Sequence, residues 1–470
     1  MNKKENYIVI LGAGITGLTF AYEISKFKKN VLIIEKENFI GGLCATINKD
    51  GYYFDLGSHR FHSSYFPLAW DFIKELYKDG LLKQKRKGIL FMENKKMHYP
   101  PNIFDIIFFL RIKSIPLIMD YIISIIKRIF VHNETKIKNF QDYMIREVGR
   151  KAYKKFYEPY AYKLWGISPL NISTEAAIKR MSRFQFSFIY KRIKELFRDK
   201  EDEYFFYPAK GIGDFPNRLF RAFLDRGGEY YLSSNLKSIK VEENSIKMIN
   251  FEDSSGNLKE ILVDTLISTI SIEDLYRLIY FKAQNQLTWR SLIILYIVSG
   301  DLLTTEHETY YLPEKDFLIG RVSFIDRYSP FLNKNKDLKL ITIEIPCNYN
   351  DEIWNTEIDF LIQRALKEII KIGLIREDPK NTKFFLLEKI KDIYPVYEIG
   401  WKEKFENYYR QLNKISNLYM IGRRALFLHC NIDHSIVMGK KLAEFIKEGS
   451  NDKEKWEKIK NNFYSFKIRD

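Results

Sequence analysis

Apolar residues first appear in this chain as a continuous run, YIVIL at residues 7–11. They recur at helical spacing over about 18–27 and form a second run, VLII, at 31–34. A strand buried on both faces reads as such a run, so the pattern predicts strand, helix and parallel strand. From about 101 to 197 the spacing is mostly helical. A short loop from about 204 leads to a helix at about 212–225. Strand-like alternation follows at 230–232, 239–241, 245–251 and 262–269, and again at 291–300, 308–313, 317–325 and 338–345. A helix at about 356–372 interrupts the second block. A strand at 418–421 and a helix at about 434–447 close the pattern, and the last twenty residues, rich in charge, read as a frayed tail.

The most apolar stretch, 103–130, is broken by Asp105, Arg111, Lys113, Pro116, Asp120, Lys127 and Arg128. No span of about 18 uncharged residues survives, so two amphipathic helices parted near Pro116 are expected, not a membrane crossing. They are expected to pack inside a helical domain, with a peripheral membrane contact as the alternative.

Length adds that 470 residues exceed one core. The expected architecture is α/β: a discontinuous Rossmann-like domain at 1–94, 201–244 and 387–450, a helical insertion at 95–200, and an antiparallel β-sheet substrate domain at 245–386, with 451–470 as tail. The formal charge of +16 suits an anionic partner: nucleic acid, a membrane surface or a phosphorylated small molecule. The basic residues are dispersed and lack zinc-finger spacing or an RNA-binding aromatic signature, so nucleic acid is the least expected. Three scattered cysteines, Cys44, Cys347 and Cys430, suggest neither a disulfide framework nor a metal site. The start runs from lysines into a strand, which predicts no cleavable signal peptide and a cytoplasmic protein, with the inner membrane face as an option.

Candidate chemistry begins between the first two strands, at Gly12-Ala-Gly14-Ile-Thr16-Gly17. Gly12 suits the tight turn, Gly14 admits a pyrophosphate to the backbone, and Gly17 lets helix and strand close. The helix N-terminus turns a partial positive charge on the phosphates, with Thr16 in its first turn. Glu35 ends the second strand, where it can accept both ribose hydroxyls and repel a 2′-phosphate; Lys36 follows it. Six residues past Glu35 stands Gly41-Gly42-Leu43, a second glycine approach to a bound dinucleotide. Late in the chain Gly422-Arg423 ends a strand and Asp433-His434-Ser435 opens a helix. Together these resemble the FAD site of the amine oxidase and protoporphyrinogen oxidase superfamily, where such a returning segment closes over the flavin. That resemblance implies FAD and adds Leu236 to the cofactor's contacts.

Six further segments, in order, resemble the UDP-galactopyranose mutases. Gly57-Ser-His59-Arg60-Phe-His62-Ser looks like their histidine segment, and Trp165-Gly166 like their Trp-Gly motif beside the nucleotide sugar. Arg180 and Arg183 fall at their arginine pair, Arg321 at an arginine that neutralises the diphosphate, and Tyr394-Pro395 at a tyrosine that contacts it. Gly422-Arg423 with Asn431-Ile-Asp433 resembles their closing segment. The resemblance implies a nucleotide-sugar substrate and reduced flavin as nucleophile, with His59, His62 and Arg321 catalytic. It places Arg60, Trp165, Arg180, Arg183, Tyr204, Tyr394 and Asn431 on substrate, and allows a homodimer. Read without it, Trp165 suits a core, Arg180 and Arg183 a solvated face, and Arg321 a cross-strand pair. The chain departs from the mutases at Arg60, His429 and Asn431, and in the three-residue arginine spacing. A flavin oxidoreductase, taking a hydride from an amine, alcohol or lipophilic substrate, is the competing expectation.

Overall fold

Every side chain of the VLII run and all but the first of YIVIL are buried, as strands covered on both faces require. They form β1 (Tyr7–Leu11) and β2 (Val31–Ile34), parallel neighbours joined through helix α1 (Ile15–Ile24). This is a computed structural model, and it describes residues 6–99, 115–130, 137–181, 204–282, 286–303, 306–449 and 452–468.

β1 and β2 sit in a seven-stranded sheet. Its spatial order is Asn235–Glu242, Ser245–Glu252, Leu258–Ser268, β1, β2, Glu229–Tyr231, and Leu418–Met420 pairs the far end of Leu258–Ser268. Strands 245–252 and 258–268, expected in the substrate sheet, therefore belong to the nucleotide sheet. The cause is local. Glu243 and Asn244 both take positive φ (48° and 57°), a two-residue turn that zips 245–252 onto 235–242.

A second seven-stranded sheet runs Thr382–Pro395, Trp289–Ser299, Lys339–Cys347, Arg321–Phe324, Thr309–Tyr311, Gly88–Met92, Lys95–Tyr99. Its last two strands were expected at the edge of the nucleotide and helical domains. They form a hairpin through Glu93-Asn94, again with positive φ, and pair with 309–311. All eleven residues of Trp289–Ser299 are buried. One face, Leu292, Ile294 and Tyr296, joins the core shared with the nucleotide sheet. The other, Ile293, Leu295 and Ile297, is covered by Leu361, Ala365 and Ile369 of helix Ile358–Lys371.

Helices Phe140–Val148, Glu158–Trp165 and Thr174–Met181 lie in the expected helical region. The expected loop at 204 is instead a strand, Tyr204–Pro208, paired antiparallel with Leu81–Lys85. The tail is also ordered. Helix Lys453–Asn461 and the turn after it bury Trp456, Phe463 and Phe466, so three aromatics outweigh a charged sequence. Among the described residues, no helix is long and apolar enough to cross a membrane, and no group of three metal-ligating side chains occurs.

Candidate functional site

A cavity of about 1110 Å³ runs from the β1–α1 turn across to the second sheet. Its near end is the glycine loop. Gly12 has φ +99°, and a side chain there would strike Thr269 Oγ1 at 2.4 Å. Gly14 caps α1 and bridges to Gly41; a Cβ on it would meet nothing within 4 Å and would fill the cavity instead. Gly17 faces inward, where a Cβ would sit 2.2 Å from the Gly12 carbonyl. Thr16 lines the wall at the foot of the helix, whose first N–H groups lack intrahelical partners. Glu35 is buried at the end of β2. Its carboxylate accepts the Ala13 N–H (2.7 Å) and the Glu37 N–H (3.0 Å), which aims it at the cavity beside Lys36 and Leu236.

Gly41, Gly42 and Leu43 line the middle, with both glycines at positive φ. Gly422 (φ +94°) and Arg423 return opposite them. The Arg423 guanidinium donates to the carbonyls of Ile393 (2.9 Å) and Cys430 (2.5 Å) and lies over the Tyr394 ring. Helix Ile432–Lys447 opens onto the cavity through Asn431 and Ser435, turning its positive end inward. Asp433 and His434, expected on the cofactor, instead turn away. The His434 Nδ1 accepts the Asn431 N–H (3.0 Å) and its ring stacks on Phe466 (4.4 Å), while Asp433 is buried against the Phe66 backbone.

The histidine segment is pinned from three sides. Phe61 exchanges both backbone hydrogen bonds with Phe206, Tyr65 donates to the Arg60 carbonyl (2.8 Å), and the Ser58 N–H reaches Glu344 (3.1 Å). His59 and His62 both line the cavity. His59 Nδ1 is buried and has no hydrogen-bond partner among the described residues. Burial, with help from Arg321 and Arg423, pushes the His59 pKa down to about 3, so its ring is neutral. Arg60 is buried; it donates to Glu308 (3.0 Å) and lies over Phe205 and Tyr328. Its charge is thus answered within the protein, although the residue touches the cavity wall.

Arg321 faces the cavity from the second sheet and is held by Glu344 through Nε (2.9 Å) and Nη2 (2.7 Å to each oxygen). None of these bonds uses Nη1. The buried carboxylate raises the arginine pKa well above normal, so the guanidinium stays charged. Tyr394 also lines this end, 5.0 Å from the His429 ring. Trp165 does not: it is buried edge-on to Phe140, in the core position that the sequence also allowed. Tyr204 pairs at the outer edge of its strand beneath Lys83, outside the cavity lining. Arg180 lies in helix Thr174–Met181, its side chain outside the described residues, as is Arg183 altogether.

Sequence reasoning passed over Tyr160, Tyr99, Tyr311 and Arg86, which line the same far end. Tyr99 and Tyr311 stack at 4.0 Å, and Tyr311 is the cross-strand partner of Arg321. Only a sheet register, invisible in one sequence, unites them. Tyr160 precedes Trp165 by five residues, which sets the two on different faces of one helix.

The family described as NAD(P)-binding Rossmann-like domain matches residues 10–76. A crystal structure of reduced UDP-galactopyranose mutase superposes with TM-score 0.73 at 20% identity, covering 96% of this chain and 95% of that one. The chain shares the fold of UDP-galactopyranose mutase. A putative protoporphyrinogen oxidase from Exiguobacterium sp. 255-15 shares this mutase fold too, at TM-score 0.72 and 16% identity over 96% of this chain and all of that one. In sequence, dTDP-fucopyranose mutase of Escherichia coli is 24% identical over 251 residues, 51% of this chain and 59% of that protein. The chain spans less than two thirds of the length of the curated relatives it matches first. The open face of Gly14, the paired glycines, the aimed Glu35 and the inward helix ends fit one dinucleotide in this mutase fold. That dinucleotide is FAD.

Proposed function

We propose that this chain is an FAD-dependent enzyme that interconverts the pyranose and furanose forms of a nucleotide-activated sugar. The observation that carries the reading is the far end of the cavity. It continues past the flavin cradle into a wall of Arg321, Arg86, His59, His62 and four tyrosines. A lipophilic hydride donor would ask for an apolar wall; a sugar diphosphate asks for cations and hydroxyl groups. Reduced FAD, held by Gly12, Gly14, Glu35, Gly41 and Gly42, would supply a nucleophilic N5. Arg321, fixed by Glu344, presents Nη1 to the diphosphate and steadies the charge that gathers as it departs. Neutral His59 can donate or accept a hydrogen bond at the sugar or flavin edge without itself carrying charge. Tyr160, Tyr311 and Tyr394 offer rings and hydroxyls that hold the sugar while it is detached. Such a product would serve the synthesis of a surface polysaccharide.

Binding tests this before turnover does. Arg321→Lys keeps the charge against Glu344 and loses the planar fork. A nucleoside diphosphate should perturb the flavin spectrum of the native protein and bind the variant about 1.5–3 kcal/mol more weakly. Equal binding to both would remove Arg321 from the diphosphate site. No binding to the native protein would favour the oxidoreductase alternative, which the same fold also carries.

A further inference from the structure

Helix Ile115–Phe130 has its apolar face on the outside. Ile115, Met119, Ile122, Ile123 and Ile126 recur at the spacing of one helical face, and each is between 42% and 58% exposed. The polar groups lie elsewhere: the Asp120 carboxylate accepts the Lys151 N–H (2.7 Å), and Ser124 donates to the Tyr121 carbonyl (2.7 Å). Leu117, on the inner side, packs against Met92 and Met97. A helix that faces only water would be patterned the other way round. Among the described residues, exposed basic side chains stand beside the stripe. Lys127 flanks it on the helix, and Arg150, Lys151 and Lys154, all exposed, stand on the turn that Asp120 holds against it. Asp120 is the one acidic residue of the helix, and it is already bonded.

We infer that this face docks the protein on an anionic phospholipid surface, with the helix lying in the interfacial plane. The apolar stripe enters the acyl boundary while Lys127, Arg150, Lys151 and Lys154 meet lipid phosphates. An aqueous protein partner of the same shape would not require a fringe of cations. No helix among the described residues crosses a bilayer, so attachment is reversible and weakens with salt. The inference is independent of the mutase reading, because none of these residues lines the cavity.

Co-sedimentation of the FAD-loaded full chain with sucrose-filled vesicles tests it. Phosphatidylcholine vesicles containing phosphatidylglycerol should pellet the protein, and pure phosphatidylcholine vesicles should not. Ile122→Asp with Ile126→Asp should abolish pelleting, while flavin content and thermal midpoint stay unchanged. Lys151→Glu with Lys154→Glu should lower partitioning by about tenfold or more. Absence of pelleting by the native protein, or pelleting indifferent to both pairs, overturns the inference. A concentration-dependent dimer that the aspartates dissociate would put a second copy on this face instead. A fall in thermal midpoint without vesicle binding would put the chain's own residues there. Either result overturns it.

Discussion

Gly14 and Gly17 stand three residues apart in one loop, yet a methyl group should affect them in opposite ways. At Gly14 it enters open cavity on an ordinary backbone (φ −74°), so Gly14→Ala should leave the apoprotein as stable or up to about 1 kcal/mol more so. It takes the space of the pyrophosphate, and FAD affinity should fall by about tenfold or more in a fluorescence titration. At Gly17 the methyl meets the Gly12 carbonyl at 2.2 Å, and Gly17→Ala should cost about 3 kcal/mol or more before any cofactor is added. Equal loss of FAD affinity and stability in both variants would mean that the loop is structural alone. His59 gives a pH dependence of known sign. Its folded pKa, about 3, lies below the unfolded value near 6.5, so the unfolded chain binds the extra proton. Apoprotein stability should therefore decline as pH falls from about 6.5 towards 3, and His59→Gln should flatten that part of the profile in thermal melts. An unchanged slope would mean that His59 protonates where it sits.

Among elements, the helix bearing Tyr160 is held to the second sheet by a clasp. Lys163 Nζ donates to the carbonyls of Leu312 (2.6 Å), Glu314 (2.8 Å) and Ile319 (2.7 Å). Arg290 returns to the carbonyls of Lys163 (2.9 Å) and Leu164 (3.3 Å), and Gly166 (φ +68°) leaves room for it. Lys163→Met should lower stability by about 2–4 kcal/mol in denaturant titration; on the proposed mutase reading, in which Tyr160 holds substrate, it should raise the KM for a nucleotide sugar more than it lowers kcat. The residues that set the elements were unequally legible. The βαβ unit could be read because continuous apolar runs, glycine spacing and Glu35 agree. The two sheets were divided wrongly at 88–99 and 245–268, although the Glu-Asn pairs at 93–94 and 243–244 are turn signals. Neither pair contains the glycine that usually draws attention to such a turn. Trp456, Phe463 and Phe466 stand seven and three residues apart, a helical interval that the many charges between them obscure.

At the scale of the whole molecule the C-terminal segment completes the flavin side, since Phe466 backs His434 at the start of the helix that opens onto the cavity. Truncation after residue 450 removes Trp456, Phe463 and Phe466, should uncover Tyr419, Phe445 and His434, and should yield a protein that binds FAD weakly or aggregates; a soluble, fully flavinated truncation would show the segment to be an accessory. Of the site, the parts contributed by contiguous sequence were legible, and those assembled by register were not. Arg321 and Gly422 could be found by motif, but Tyr99 meets Tyr311 only when two distant strands share a sheet. Motif also misdirected, placing Trp165 at the cavity when its helix turns Tyr160 there. Two cavity-wall arginines are answered by buried glutamates, Arg60 by Glu308 and Arg321 by Glu344, so much of the +16 charge lies outside the site.

In the proposed reaction the flavin turns over a sugar without being consumed as a reductant. The protein should be reduced anaerobically with dithionite, freed of excess reagent, and given nucleotide-activated pyranoses while flavin absorbance and sugar ring form are followed together. Many turnovers to the furanose are expected with the flavin still reduced, and none with oxidised flavin. Stoichiometric flavin reoxidation or bleaching coupled to substrate redox change, with no ring interconversion, would contradict it.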